Sequence, residues 1–147
     1  MLSKMNNKVK IGKEIISVLL IFLWVYAAFS KAMNYHAFIW QIRNQVLWPP
    51  LKELVIRTLI PIELITAVFL LIPGKRRIGL LISALLLAVF TIYITLVILH
   101  FFPRIPCSCG GILEKMGWKT HFFFNVGCLI LNIASLLPEK ERRSATK

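Results

Sequence analysis

The chain has 147 residues, 58% of them hydrophobic, with a mean hydropathy of +0.75 and a formal net charge of +12. A soluble domain of this length runs nearer half apolar, with apolar and polar residues interleaved; here the apolar residues come in long blocks, which excludes an ordinary soluble globule. The basic surplus does not mark a nucleic-acid surface either, because it is sorted to the ends of those blocks.

The first block, Ile15 to Phe29, is apolar except at Ser17. It predicts a helix over about residues 14–33, with Lys31 snorkelling toward the interface. A cleaved leader is the competing reading, since Lys4 to Lys13 are basic and Ala27-Ala28 are small, but no polar mature N-terminus follows. Between Asn34 and Pro50 lie Tyr35, His36, Phe38, Trp40 and Trp48 with Gln41, Arg43 and Asn44 among them. That mixture predicts a short amphipathic segment lying in the membrane interface.

Pro49-Pro50 opens a second helix over about 51–73. Spanning a hydrocarbon core takes roughly 20 apolar residues, and this block reaches that length despite Arg57, Thr58, Pro61, Glu63 and Thr66. Pro61 removes the hydrogen bond to the Arg57 carbonyl, which predicts a kink. Glu53 and Arg57 stand at i, i+4 and can pair. Glu63 sits midway along, where an unpaired carboxylate is costly, so it calls for a partner or a function. Lys31 and Arg57 are its candidate partners. The plainer reading is a buried pair that fixes packing; the sharper one is a proton-relay or quinone-contact group.

A tight Pro73-Gly74 turn leads into a third helix over about 77–102, with no formally charged residue from Ile78 to Phe102. The next segment holds Pro106-Cys107-Ser108-Cys109-Gly110-Gly111. A fourth helix follows over about 118–137. Its His121, Asn125, Cys128, Asn132 and Ser135 recur at steps of 4, 3, 4 and 3, which is one helix face. That face must look into the bundle, since lipid offers no partners for asparagine. Asn132 and Ser135 read as interhelical hydrogen-bonding groups and Cys128 as packing. His121 reads as an interfacial residue at a helix end, and Asn125, nearer the two cysteines, as a site candidate.

Eleven of the 18 basic residues fall on one side of this arrangement: Lys4, Lys8, Lys10 and Lys13, then Lys75, Arg76 and Arg77, then Lys140, Arg142, Arg143 and Lys147. Positive charge marks the cytoplasmic face. The expected fold is therefore all-α and integral to the membrane: a four-transmembrane-helix bundle, one domain over residues 1–147, both termini cytoplasmic. Membrane lipid is the expected partner, through anionic headgroups, and nucleic acid is not.

That orientation puts Cys107 and Cys109 outside, where disulfides persist. A bridge across one intervening residue closes a small ring whose strain favours exchange, and Gly110 and Gly111 would let the backbone turn. Two unreactive thiols, or a plain structural bridge, are the plainer readings. A metal site built with His100 or His121 competes, but structural zinc prefers C-x2-C spacing, and no metal is expected.

The lysine that ends the first helix, Pro61-Ile62-Glu63 in the second, Cys107-Ser108-Cys109-Gly110 after the third and Asn125 in the fourth together resemble the methylamine utilisation MauE family. That family is similar to the wider DoxX-like group of small membrane proteins. The resemblance spans roughly Ile15 to Leu137 and carries over Lys31, Glu63, Cys107, Cys109, Gly110 and Asn125. Gly111 departs from it, standing where many relatives are expected to hold an aromatic residue. The resemblance implies an inner-membrane accessory role in maturing an extracytoplasmic, methylamine-dehydrogenase-like enzyme with a thioredoxin-like partner. On that view the protein is a membrane thiol–disulfide oxidoreductase: Cys107 and Cys109 react, Lys31, Glu63 and Asn125 form a supporting polar site, and a quinone is the candidate electron sink. The alternative is a non-catalytic membrane scaffold or chaperone with a structural Cys-x-Cys bridge. Small-solute transport along Glu63 and Asn125 is a third reading.

Overall fold

The computed structural model of the chain describes residues 2–45, 47–101 and 117–137, with side chains from Lys10 onward. It contains helices α1 (Leu2–Met33), α2 (Tyr35–Arg43), α3 (Pro49–Leu71), α4 (Arg76–Ile98) and α5 (Trp118–Leu136), with a 3-10 turn at Pro73–Lys75 between α3 and α4. No strand occurs among the described residues. The Cys107–Gly111 segment and the basic C-terminal tail lie outside them.

The expected helices are present with shifted ends. Helix α1 begins at Leu2 rather than near residue 14; the added stretch holds Leu2, Met5 and four lysines, which favour helix, and no proline to stop it, and it runs through Asn6, Asn7 and Gly12, which do not. Its long apolar part is Lys10–Met33. Helix α3 opens on Pro49 and Pro50, whose fixed backbone suits the first turn, and it continues unbroken through Pro61. Helix α4 stops at Ile98, short of the expected 102, and its end is a built stop. His100 takes a left-handed backbone (φ 55). The Phe101 amide then donates to the Leu96 carbonyl at 3.0 Å and the His100 amide to the Val97 carbonyl at 3.1 Å. That is the paired bonding of a Schellman cap, with histidine where glycine is usual.

The four long helices close into a ring: α1 packs on α3 and α5, and α4 packs on α3 and α5, while α2 lies against α3 and the end of α1. Leu20 and Trp24 of α1, Ala67 and Leu70 of α3, and Leu80 and Leu87 of α4 form the main core. A second cluster joins Phe38 and Ile42 of α2 to Ile56 and Leu59 of α3, docking the short helix on the bundle. Gly79 sets the close approach of α3 and α4: a Cβ there would lie 2.7 Å from the Leu70 amide nitrogen and 2.9 Å from the Phe69 carbonyl carbon.

The outside of the ring is as apolar as its inside. Phe22 is 70% exposed, Leu85 65% and Phe123 71%. A water-soluble monomer rarely shows so much continuous apolar surface. Among the described residues three helices are long and apolar enough to cross a membrane: Lys10–Met33, Pro49–Leu71 and the stretch Pro73–Ile98. Helix α5 is not among them, because Lys119, His121, Asn125 and Asn132 dilute its apolar content. In lipid, hydroxyls inside helices must find partners within reach. Thr58, Thr66, Thr91 and Thr95 each donate to the carbonyl four residues earlier, at 2.6–2.8 Å.

Candidate functional site

Helix α1 ends with Lys31 on its inner face, and Glu63 occupies the facing position midway along α3. The Lys31 Nζ donates to Glu63 Oε1 at 2.9 Å and to the Ala27 carbonyl at 3.1 Å. Lys31 is 6% exposed and Glu63 0%. Lys31 therefore turns inward instead of snorkelling, because a buried carboxylate is within reach and an interface position would leave that carboxylate without a cation. Arg57, the other partner considered for Glu63, bonds instead to exposed Glu53 at 3.3 Å, one turn away. The second Glu63 oxygen, Oε2, is buried with no hydrogen-bond partner among the described residues.

The pair borders a cavity of about 300 Å³ between the helices. Its walls are mostly apolar, with Trp24, Val55, Leu59, Leu87 and Phe90 among them, and its polar lining includes Lys31, Gln45, Glu63, Tyr93, His121 and Asn125. Gln45 is buried and follows α2; its Nε2 has no partner among the described residues, nor does Nδ1 of half-buried His121. Asn125 is tied to α4: its Nδ2 donates to Thr91 Oγ1 at 3.0 Å and to the Leu87 carbonyl at 3.2 Å.

Lys31, Glu63 and Asn125 thus line one cavity, the first two in direct contact. Cys107, Cys109, Gly110 and Gly111 lie outside the described residues. They belong to the segment joining the C-terminal end of α4 to the N-terminal end of α5, the helix ends that bring Tyr93, Ile94, Trp118 and His121 to the cavity.

The polar face of α5 does point inward: Asn125, Asn132 and Ser135 are buried, and His121 and Cys128 are half-buried. Asn132 acts as the expected interhelical bond. Its Nδ2 donates to Ser83 Oγ of α4 at 2.7 Å, and the Trp24 indole N–H of α1 donates to the same hydroxyl at 2.8 Å. One serine thereby joins three helices. Ser135 does not act as expected: its buried hydroxyl has no partner among the described residues. Cys128 is a free thiol packed against the main core.

Sequence reasoning missed Gln45 and the Ser83 node. Gln45 sits in an aromatic connection, where nothing local distinguishes a buried amide from an interfacial one. Ser83 had a signal, as a lone hydroxyl inside an uncharged apolar run. His121 had one too, since it stands four residues before Asn125 on the inner face.

The methylamine utilisation protein MauE family matches residues 9–138 of the chain. The chain belongs to that family. The match takes in all the inner-face residues of the cavity and the Cys107–Cys109 segment. No curated protein and no solved structure matches the chain. Family membership together with three apolar helices of spanning length makes this MauE family member a multi-pass membrane protein in contact with lipid.

Proposed function

We propose that this MauE family protein is an inner-membrane accessory factor that passes thiol–disulfide equivalents during maturation of an extracytoplasmic, methylamine-dehydrogenase-like enzyme, working with a thioredoxin-like partner. In this reading the bundle spans four times with both termini cytoplasmic. Helix α5 is the fourth span because its polar residues face inward, while Phe123 and Ile130 face outward. The observation that carries the relay is the placement in sequence of Cys107-Ser108-Cys109-Gly110. It joins the two helix ends that border a membrane-buried cavity with a buried ion pair.

The exchange itself is balanced. A thiolate of one member attacks the disulfide of the other, a mixed disulfide forms, and the second thiol of the attacking pair resolves it. The disulfide has then moved one way, and two electrons with two protons the other. Lys31, Glu63 and Asn125 line the cavity bordered by the helix ends that flank that segment in the sequence.

The test is Cys107→Ser in cells carrying the thioredoxin-like partner, with thiol alkylation and gel shift reporting redox state. The variant is expected to leave the partner in the wrong redox state or to trap a mixed disulfide through Cys109. A partner with a normal redox state would sink the relay. In that case a Cys107–Cys109 pair that stays oxidised under all growth conditions identifies a scaffold with a structural bridge.

A further inference from the structure

The polar residues around the cavity offer it almost no polar surface. Lys31, Gln45, Glu63 and Asn125 are all buried. The Lys31 Nζ is held by Glu63 and the Ala27 carbonyl, and the Asn125 amide by Thr91 and the Leu87 carbonyl. What reaches the space is hydrocarbon, from side chains such as Leu23, Val55, Leu59 and Phe90. Apolar cavities stay dry and accept apolar guests. Left empty, this one would forfeit dispersion contacts around its lining.

Its dimensions and position narrow the guest. The lining follows α3 from Leu51 to Glu63, a rise of about 18 Å, and α4 from Leu87 to Ile94 and α5 from Trp118 to Asn125, about 10 Å each. The cavity thus runs from the end of the bundle that carries α2 to the middle of the long helices. One leaflet of a ~30 Å hydrocarbon core has about that depth, 15 Å. Spread over that depth, about 300 Å³ leaves a cross-section of about 20 Å², the width of one hydrocarbon chain at ordinary carbon–carbon contact. The space is also open sideways: Val89, Leu51 and Phe124 line it and are exposed, Val89 by 53%. Gly79 draws α3 and α4 together beside their connecting turn, and at the cavity end neither helix has a glycine to do the same.

We propose that this cavity takes one acyl chain of a phospholipid from the leaflet on the α2 side, entering sideways from the bilayer with its headgroup left at the interface. That lipid is the apolar chain already in contact with the outside of the ring. A free fatty acid drawn wholly inside would find no cation for its carboxylate, since Lys31 is taken by Glu63 at 2.9 Å. The site stands apart from the thiol–disulfide reading and uses none of its residues as reactants.

The test is photolabelling of the full-length protein in lipid nanodiscs. A trace of straight-chain phosphatidylcholine carries a diazirine midway along one chain, and peptide mass spectrometry locates the adducts. Adducts are expected at Val55, Leu59 or Phe90 inside the ring, besides those at Ile92 and Phe123 on its outside. Leu59 is 9% exposed, out of reach of a chain that stays outside. Val55→Phe on α3 and Ala27→Phe on α1 each narrow a space one chain wide. Each should abolish the inner adducts and leave the Phe123 adduct unchanged, and circular dichroism identifies which variants are folded. In nanodiscs of diphytanoyl phosphatidylcholine, whose chains are methyl-branched, the straight-chain label should be enriched inside relative to Phe123. Adducts confined to outward-facing residues, inner adducts that survive in a folded narrowed variant, or an inside-to-outside ratio that branched lipid leaves unchanged would each overturn the site.

Discussion

Removing one member of the Lys31–Glu63 pair should cost far more than the pair itself is worth, and a double-mutant cycle can show it. At 2.9 Å and an effective dielectric near 20, two unit charges attract by roughly 6 kcal/mol. Taking each ion out of water costs several kcal/mol, so the intact pair comes close to cancelling. Lys31→Met deletes the attraction and leaves the desolvation cost of a fully buried carboxylate in place. Breaking a buried pair in this way typically costs 3–5 kcal/mol. The low end, about 3 kcal/mol, is expected here, because a chain unfolded in a micelle still finds polar partners. Adding Glu63→Leu to Lys31→Met removes the stranded carboxylate and should recover most of that loss. The assay is unfolding of the purified protein by dodecyl sulfate titration in mixed micelles, followed by helical circular dichroism. A single variant that costs under about 1 kcal/mol, or a double variant whose loss is the sum of the two singles, would refute the assignment of a mutually dependent pair.

Two further substitutions probe the frame around the site. Ser83→Ala removes the acceptor shared by the Trp24 indole and the Asn132 amide and should destabilise the protein by about 1–3 kcal/mol in the same titration, with a change in tryptophan emission that Ser30→Ala does not produce. Gly79→Ala puts a methyl group 2.7 Å from α3 backbone, which no rotamer change can relieve. It should cost about 1–3 kcal/mol, whereas alanine at Gly127, inside α5 where a Cβ would meet nothing within 4 Å, should raise the midpoint, by about 0.5–1 kcal/mol of helix propensity.

The legible part of this protein was the part encoded by composition and period. Blocks of apolar residues located four long helices to within a few residues, except where α1 extends into a polar lysine-bearing stretch that carries no apolar block. The aromatic segment after Lys31 read as a short amphipathic segment because aromatic and polar residues are mixed along it, and helix α2 stands there. The inner face of α5 was legible because its polar residues recur at helical steps of 4, 3, 4 and 3, and asparagines on an otherwise apolar helix turn toward partners. Long-range pairing was half legible. Glu63 demanded a cation, but two lay within plausible reach. Only the packing of α1 against α3 decides for Lys31, while Arg57 is taken by Glu53 on its own helix. Of the cavity, only the set Lys31, Glu63 and Asn125 was brought together beforehand, and by the family resemblance; its polar groups come from α1, the turn after α2, α3, α4 and α5, and no local pattern states that those five regions share a space.

The node and the cavity divide the bundle's polar residues into two kinds. At Ser83 two donors converge on one hydroxyl at 2.7 and 2.8 Å, so burial there is compensated and the group serves packing. At the cavity, Glu63 Oε2, Gln45 Nε2 and His121 Nδ1 are buried without such compensation. A bundle built only to hold itself together would gain by replacing those side chains with apolar ones and closing the space, since large apolar residues already surround it. Trp24 belongs to both regions: its indole nitrogen is fixed by Ser83 while its ring lines the cavity. That coupling fixes the cavity wall on the α1 side, so the Ser83 node and the cavity share one side chain.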